Sequence, residues 1–528
     1  MTKVRLTNNW IIIEDGSNVS LALKSVLTFR TKKKKIHTRS KTINIPEQIN
    51  YAFVIQDGLM YIPIGLYALL NDYFTVDVEI EDDRQIQNED INDTSGVITR
   101  IAEFENVLPG ITLRPEQLMA VRKILFAKRG IINACTSFGK TEVMSAAIKI
   151  LTSINWSGMC PTVLIFEPTV KLVTDTVKRM KKYGIDAVDY SKNRKIILNK
   201  VNIAHPKSIG NDLQENPELL VGVEVLFGDE THHMASETYR VPTYEMPNLL
   251  YSIGVSASAI SQEHINAKKI QDYSYEEILT IGATGQLLMN VTADMMIAKG
   301  ALATPVLLRF NHEANEEMEE NSQTDWHEVY KVKLQSNNRN FLVAKIARYF
   351  SNHGRKTLIL VSTVEWARLL LKFFNALGLS DRVIASYGSG KFERMSSEDY
   401  QGNIINCSKE EDWFTKFDSG ECNILIGTTH LYEGVSLSHL DVLILAFGGK
   451  AERLQVQGVG RVLRKTKTGK YAYLVDFTDD DDLILSKHSK LRLQRYKEII
   501  GIPDDRIYDD LQIDALEDIF NKCEGIEN

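Results

Sequence analysis

Ala134-Cys-Thr-Ser-Phe-Gly-Lys-Thr141 is the stretch on which the fold of this 528-residue chain turns. It fits the phosphate-binding loop pattern, with Ala in place of the first Gly and then Gly139, Lys140 and Thr141. Gly130-Ile-Ile-Asn-Ala134 before it reads as a short buried strand, and Glu142-Val-Met-Ser-Ala-Ala-Ile-Lys-Ile-Leu151 after it has helical spacing. Strand, loop, helix is the context the pattern needs. Backbone N–H groups of such a loop, with the positive end of the following helix, cradle phosphates. Lys140 is suited to reach the β- and γ-phosphates of ATP, and Thr141 to ligate Mg2+. Thr136, Ser137, Phe138, Gly139 and Glu142 complete the loop's ATP-binding candidates.

Upstream, Leu113-Arg-Pro-Glu-Gln-Leu-Met-Ala120 opens a helix, with Pro115 suited to the first turn. Arg114 and Gln117 are nucleotide candidates, the Gln117 amide being able to pair with adenine through two hydrogen bonds. Downstream, Thr162-Val-Leu-Ile-Phe-Glu-Pro-Thr169 and Val201-Asn-Ile-Ala-His-Pro-Lys-Ser208 each read as a strand ending in polar residues. Ligands of open parallel sheets bind at such carboxyl ends, so Pro168, Thr169 and Ser208 are candidate contacts to a nucleic-acid backbone. Val223-Glu-Val-Leu-Phe-Gly-Asp-Glu-Thr-His232 delivers two acids at a strand end. Asp229 is suited to hold Mg2+ and Glu230 to orient and deprotonate an attacking water. His232, and the hydroxyls Ser256 and Ser258 that end the strand beginning at Tyr251, are candidates for coupling the nucleotide site to neighbouring segments.

A second α/β series follows an acidic, aperiodic segment at residues 311 to 328. Phe341 to Phe350 is helical. Lys356-Thr-Leu-Ile-Leu-Val-Ser-Thr363, Asn423-Ile-Leu-Ile-Gly-Thr-Thr429 and Asp441-Val-Leu-Ile-Leu-Ala446 read as strands. Ser362, Thr363, Thr428 and Thr429 are candidate nucleic-acid contacts. Glu433 and Gly434 are candidate nucleotide contacts. Gln457-Gly-Val-Gly-Arg-Val-Leu-Arg464 sets Arg461 and Arg464 one turn apart on a helix face. That pair makes sense as fingers that stabilise charge on a transferring γ-phosphate, and Gln457 is grouped with them. The aspartates at 479 to 482 read as a solvated turn.

Residues 1 to 105 differ in texture. Val26 to Thr31 and Ile36 to Ile45 look like strands joined through Lys32-Lys-Lys-Lys35, so the lysines fall at a hairpin tip. Asp57-Gly58 is a hairpin turn signal between Tyr51–Gln56 and Leu59–Ile62. Gly65 to Phe74 suggests a short helix, and the acidic stretch from Asp77 to Asp93 reads as a solvated linker. Arg30 and Lys32, Lys33, Lys34 and Lys35 form a basic element suited to duplex phosphates. The net charge of −7 means that any such binding rests on local patches. Five scattered cysteines without metal-ligand spacing point to free thiols in a reducing compartment. Neither a signal-peptide core nor a run of the ~18 apolar residues a membrane span needs is present. The expectation is a cytoplasmic chain, in a host's cytoplasm if of phage origin, with no membrane partner.

Taken in order, the segments 113–117, 134–141, 168–169, 229–232, 256–258, 428–434 and 457–464 resemble the motifs of superfamily-2 helicases. Ile297-Ala-Lys-Gly-Ala-Leu-Ala-Thr-Pro305 and the compact tail look like the UvsW and RecG-like branch. The resemblance implies two RecA-like parallel-sheet α/β domains in tandem after a small β-rich domain. The expected divisions are a β-rich substrate-recognition domain with its acidic linker at 1–105, an ATP-binding domain at 106–310, a linker at 311–335 and a second RecA-like domain at 336–528. It also implies ATP and Mg2+ as cofactors, and Lys140, Thr141, Asp229, Glu230, Arg461 and Arg464 as the hydrolytic set. The expected activity is ATP-driven unwinding or branch migration of branched DNA in recombination, repair or replication, by a monomer. Three alternatives stay open on the motifs: an RNA helicase, the motor subunit of a restriction-type complex and a non-catalytic nucleotide-gated clamp. His205 stands where many relatives have Thr, and Ser-Ala-Ser at 256–258 replaces the commoner Thr-Ala-Thr.

Overall fold

The computed structural model describes residues 2–31, 34–37, 42–45, 48–75, 77–84, 105–135, 137–153, 160–311, 334–387, 391–395, 404–407, 413, 416–417, 419–428, 440–448, 471–479, 483–498 and 500–525. They fall into two units, Met1–Val291 and Thr292–Asn528.

The first unit opens with strands β1 (Thr2–Leu6), β2 (Trp10–Glu14), β3 (Thr28–Thr31), β4 (Lys34–His37), β5 (Thr42–Ile45), β6 (Gln48–Tyr51), β7 (Val54–Gln56), β8 (Leu59–Pro63) and β9 (Val78–Asp82). Five of them form a sheet in the order β7-β8-β2-β1-β9. The turn between β7 and β8 is made by Asp57 at φ 51° and Gly58 at φ 74°, the paired positive angles a two-residue hairpin favours. β3 pairs antiparallel with β6, from Thr28 opposite Tyr51, and β4 with β5, ending with His37 opposite Thr42, as two two-stranded sheets.

Strands β10 (Arg129–Ala134), β11 (Val163–Phe166), β12 (Ala187–Asp189), β13 (Val201–Ala204), β14 (Val225–Asp229), β15 (Tyr251–Ser256) and β16 (Leu287–Val291) follow. They lie parallel in the order β12-β13-β11-β14-β15-β10-β16. Every residue of β11, β13 and β15 is buried, which is what a sheet covered on both faces requires. Helices Pro115–Ala127, Lys140–Ser153, Val170–Lys182, Pro206–Glu215 and Tyr275–Thr284 flank it.

The small sheet shares a core with this domain. Val4, Ile11, Met60 and Ile62 belong to the same buried cluster as Ile131, Ile260, Ile278 and Ile281. Asn9 Nδ2 donates to the carbonyls of Met246 (2.8 Å) and Tyr244 (3.1 Å), and Asn8 Nδ2 to that of Pro247 (2.9 Å).

The second unit contains β17 (Thr304–Asn311), β18 (Thr357–Leu360), β19 (Val383–Tyr387), β20 (Lys391–Met395), β21 (Ile404–Cys407), β22 (Ile424–Gly427), β23 (Val442–Leu445), β24 (Tyr471–Thr478) and β25 (Ile507–Leu511). Their order is β21-β20-β19-β22-β18-β23-β24-β17-β25. β20 runs against its neighbours, pairing antiparallel with β19 and β21.

Several sequence expectations need correction. The sequence expectation puts residues 304–310 in the first domain and 311 in a linker, but β17 pairs with β24 along its whole length and with β25. The two units divide at Val291 and Thr292. The acidic stretch from Asp77 contains β9, whose backbone completes the small sheet by pairing parallel with β1. Val26 ends a helix (Asn18–Val26), and only Thr28–Thr31 is strand. Ile36 to Ile45 splits into β4 and β5, so Lys34 and Lys35 lie along a strand and the chain reverses between residues 37 and 42. Asp479 is buried, not part of a solvated turn: it pairs with Arg339 and, at 3.2 Å, with Arg492, which also holds Asp476 at 2.9 Å. Opposite charges this deeply buried persist because each is paired. Among the described residues, no helix is long and apolar enough to cross a membrane.

Candidate nucleotide and nucleic-acid sites

Three neighbouring strands of the first unit, β14, β15 and β10, bring the candidate catalytic residues to one edge of the sheet. At the end of β10 the loop needs glycine. Gly139 has φ 88°, and a Cβ there would stand 2.3 Å from Gln117 Nε2. Ser137 also takes a left-handed conformation, φ 74°. The helix from Lys140 starts directly behind, and Lys140 Nζ folds back to the Ala134 carbonyl at 3.5 Å. A cradle with no room for a side chain, closed by a lysine that has only a weak carbonyl contact, fits a phosphate chain.

Gln117 is 4% exposed, and its amide is already engaged. Oε1 accepts from Arg114 N (2.9 Å) and Nε2 donates to the Phe138 carbonyl (2.9 Å). The Arg114 guanidinium donates to that same carbonyl. These bonds tie the helix at 115–127 to the phosphate loop. Each amide atom keeps one further donor or acceptor capacity, which leaves the bidentate adenine contact open. Glu142 accepts from Tyr183 Oη at 2.9 Å.

At the end of β14 the backbone turns sharply, with Glu230 at φ 46° and ψ 55°. The Glu230 N–H donates to Asp229 Oδ1 at 3.0 Å. Burial and then the adjacent Glu230 push the Asp229 carboxyl up to about 6, against the pull of Lys140. Such an acid pair is electrostatically unfavourable without a cation. Among the described residues no three His, Cys, Asp or Glu side chains form a metal cluster. Mg2+ is commonly held by one or two carboxylates together with phosphate oxygens and water.

β15 lies between the loop strand and the acid strand, and Ser256 at its end joins them. Ser256 Oγ donates to Glu230 Oε2 at 3.2 Å and lies 3.2 Å from His232 Nδ1. His232 Nδ1 is 3.5 Å from the same Glu230 oxygen. The coupling candidates His232 and Ser256 thus converge on Glu230. Ser258 N–H donates to Ser256 Oγ at 3.2 Å, while Ser258 Oγ is buried without a hydrogen-bond partner.

Two residues in this region escaped the sequence reading. Asn133, on β10, accepts from Ala259 N (3.1 Å) and donates to the carbonyl of Ile260 (3.2 Å), linking the loop strand to the segment after Ser258. Glu167, directly after β11, is buried, accepts from Thr176 Oγ1 at 2.7 Å and has its other oxygen unpartnered. Burial and then Asp229 hold its carboxyl well above the usual range. An acid ending an apolar strand was the available signal for Glu167; nothing local marks Asn133.

The candidate backbone contacts sit at helix starts. Thr169 caps the helix Val170–Lys182, its hydroxyl accepting from Leu172 N at 3.3 Å. Thr363 repeats this in the second unit, accepting from Trp366 N at 3.2 Å. Ser208 lies in the first turn of Pro206–Glu215. His205, just before it, donates to the Pro168 carbonyl; burial, with Lys207 and His233 nearby, lowers its pKa. Ser362 Oγ is buried without a hydrogen-bond partner. Thr428 follows β22 and is 9% exposed. Arg30 is exposed on β3, and Lys34 and Lys35 lie on β4. Thr136, Thr429, Glu433, Gly434, Gln457, Arg461, Arg464, Lys32 and Lys33 lie outside the described residues.

A phosphate loop and an acid pair at the carboxyl edge of a parallel sheet, followed by a second such sheet, define an ATPase built of RecA-like domains. Residues 110–284 match the family described as "Type III restriction enzyme, res subunit". The chain is 24% identical over 399 residues to the DNA 3'-5' translocase XPB2 of Sulfurisphaera tokodaii, covering 69% of this chain and 81% of that one. It is 21% identical over 410 residues to the ATP-dependent DNA helicase uvsW of Enterobacteria phage T4, covering 71% and 73%. In fold it resembles a fragment of a type I restriction enzyme HsdR subunit from Vibrio vulnificus, with TM-score 0.53 and 18% identity over 75% of this chain and 67% of that one. By these likenesses the chain is similar to superfamily-2 helicases, the UvsW-like branch among them.

Proposed function

We propose that this protein is a Mg2+-dependent, ATP-driven DNA translocase that unwinds or branch-migrates branched DNA in recombination or repair. The observation that carries the reading is the convergence of Ser256 and His232 on Glu230, beside the phosphate loop. It supports a hydrolytic site wired to its surroundings, in contrast to a passive nucleotide clamp. The names of the T4 and Sulfurisphaera relatives support DNA as the track.

In this reading Lys140 and the loop amides bind the phosphates. Thr141 and Asp229 hold Mg2+, which neutralises phosphate charge when bound. Glu230 takes a proton from the attacking water, with Ser256 and His232 fixing its carboxylate. Arg461 and Arg464 act on the γ-phosphate. Pro168, Thr169, Ser208, Ser362, Thr363, Thr428 and Thr429 grip the backbone, and the basic residues Arg30 and Lys32 to Lys35 hold duplex. The test is ATPase stimulation and strand displacement on forked DNA, four-way junctions, R-loops, linear duplex and structured RNA. Selective stimulation by branched DNA is expected. Equal or stronger stimulation by RNA would overturn it.

A further inference from the structure

The amino-terminal edge of the main sheet in the first unit carries a groove that nucleotide chemistry leaves unused. Arg129, Tyr251 and Leu287 begin β10, β15 and β16 there, opposite the edge holding Lys140 and Asp229. Two adjoining cavities of about 520 and 490 Å3 share Phe126, Ala127 and Leu288 as walls. Phe126 is 69% exposed and Met119 is 53% exposed. Both lie on the helix Pro115–Ala127 with Arg122 and Lys123 between them, at the three- and four-residue spacings that make one face. This helix therefore turns an apolar-and-cationic stripe to solvent, where an amphipathic helix normally carries polar residues alone.

The cations are of two kinds. Lys123 Nζ donates to the Leu288 carbonyl at 2.6 Å and Arg84 is paired with Asp82. Arg122 and Lys128 have no acidic partner among the described residues. Lys128 closes the helix at φ 61°, a position that glycine fills without strain. A lysine retained in a strained conformation at the rim of a groove is a mark of use beyond packing. Partial burial also lowers its pKa, the behaviour of an ammonium group short of an anion.

We propose that this groove binds an acidic peptide segment of another protein, an aromatic or aliphatic side chain seated against Phe126 and carboxylates paired with Arg122 and Lys128. Charge complementarity selects the occupant. The patch is cationic on a chain whose net charge is −7, and its floor is apolar. Duplex nucleic acid would use the cations but would leave the exposed Phe126 and Met119 without matching surface. Occupancy at this edge leaves the carboxyl edge of the sheet open, so a partner could ride on the motor while it turns over. The inference does not depend on which nucleic acid is the track.

The test is selection from a random peptide-display library on the full chain, followed by fluorescence anisotropy of the selected peptides. Peptides rich in Asp or Glu around an aromatic or aliphatic anchor are expected. Their affinity should fall about tenfold or more in Phe126→Ala and in the Arg122→Glu, Lys128→Glu double variant, as for hot-spot removal. ATP turnover should match wild type in both, which also shows that they fold. Absence of such enrichment, or peptides that bind the variants equally well, overturns the proposal. So does a dimer in sedimentation that Phe126→Ala dissolves, which assigns the face to a second copy. Loss of forked-DNA binding in the charge-reversal variant overturns it in favour of nucleic acid.

Discussion

At the scale of single residues, the site depends on an unstable arrangement of charge. Asp229, Glu230 and Glu167 crowd one end of the sheet, and the cations acting on Asp229 are Lys140 and, more weakly, Arg179. Lys140→Ala and Glu230→Gln should each abolish ATP turnover in a phosphate-release assay. Glu230→Gln should still bind ATP and Mg2+, because it removes the base and keeps the ligand set. Normal hydrolysis in either would contradict the assignment. Arg464→Ala should lower kcat far more than ATP affinity, by about a thousandfold, since a finger acts mainly in the transition state. Asp229 gives a pH test. A carboxyl whose folded-state pKa lies above its unfolded value stabilises the fold only while protonated. That contribution is whole below about 4 and lost as pH climbs through about 6. Nucleotide-free protein at pH 8 therefore bears a penalty that Asn removes. Asp229→Asn should be more stable than wild type at pH 8 by about 1–2 kcal/mol, discounted because the carboxyl is partly exposed, and should melt at a higher temperature. The gap should close towards pH 4, and a gap that stays constant across this range would refute the charge argument.

At the scale of elements, the sequence was legible where one local cause suffices. Val163–Phe166 is an apolar run suited to a doubly covered strand, and Asp57-Gly58 meets the angles of its turn. The phosphate loop and the acid pair were legible for the same reason, since their chemistry lies in adjacent residues. Elements fixed by distant backbone were not. Val78-Glu-Ile-Glu-Asp82 looks like a solvated linker until β1 offers it an edge. Thr304–Asn311 finds its sheet through residues 471–478 and 507–511. Asn133 matters only once the segment after Ser258 returns to it. The lysine run shows both sides: its charge was legible, but the place of Lys34 and Lys35 on β4 was not. Replacing Lys32, Lys33, Lys34 and Lys35 with Ala should weaken fork binding at every sequence. It should also flatten the salt dependence by roughly one unit of slope per lost contact. An unchanged slope in a binding titration across salt concentrations would show these lysines to be merely solvated.

At the scale of the whole molecule, the small N-terminal sheet is structurally part of its neighbour. Its apolar face, with Leu6, Ile11 and Met60, is buried in one cluster with Ile131, Ile278 and Ile281. The contact is closest at Gly65, where a Cβ would stand 2.1 Å from the Ile281 carbonyl oxygen and 2.6 Å from that of Gly282. Both obstacles are backbone of the helix Tyr275–Thr284, so no side-chain rotation relieves them. The angle at Gly65 is not in the left-handed range, so the demand is for space. Gly65→Ala must push the segment Ile64–Leu69 off the helix and open the shared core, costing roughly 3 kcal/mol, at the upper end of overpacking penalties. The expected result is a lower melting temperature, with easier proteolysis between the small sheet and the helix at 115–127. ATP turnover measured well below the melting point should persist, because the loop and acid pair lie at the other edge of the sheet. A Gly65→Ala chain that melts with wild type and resists protease equally would mean that the two sheets are only loosely apposed.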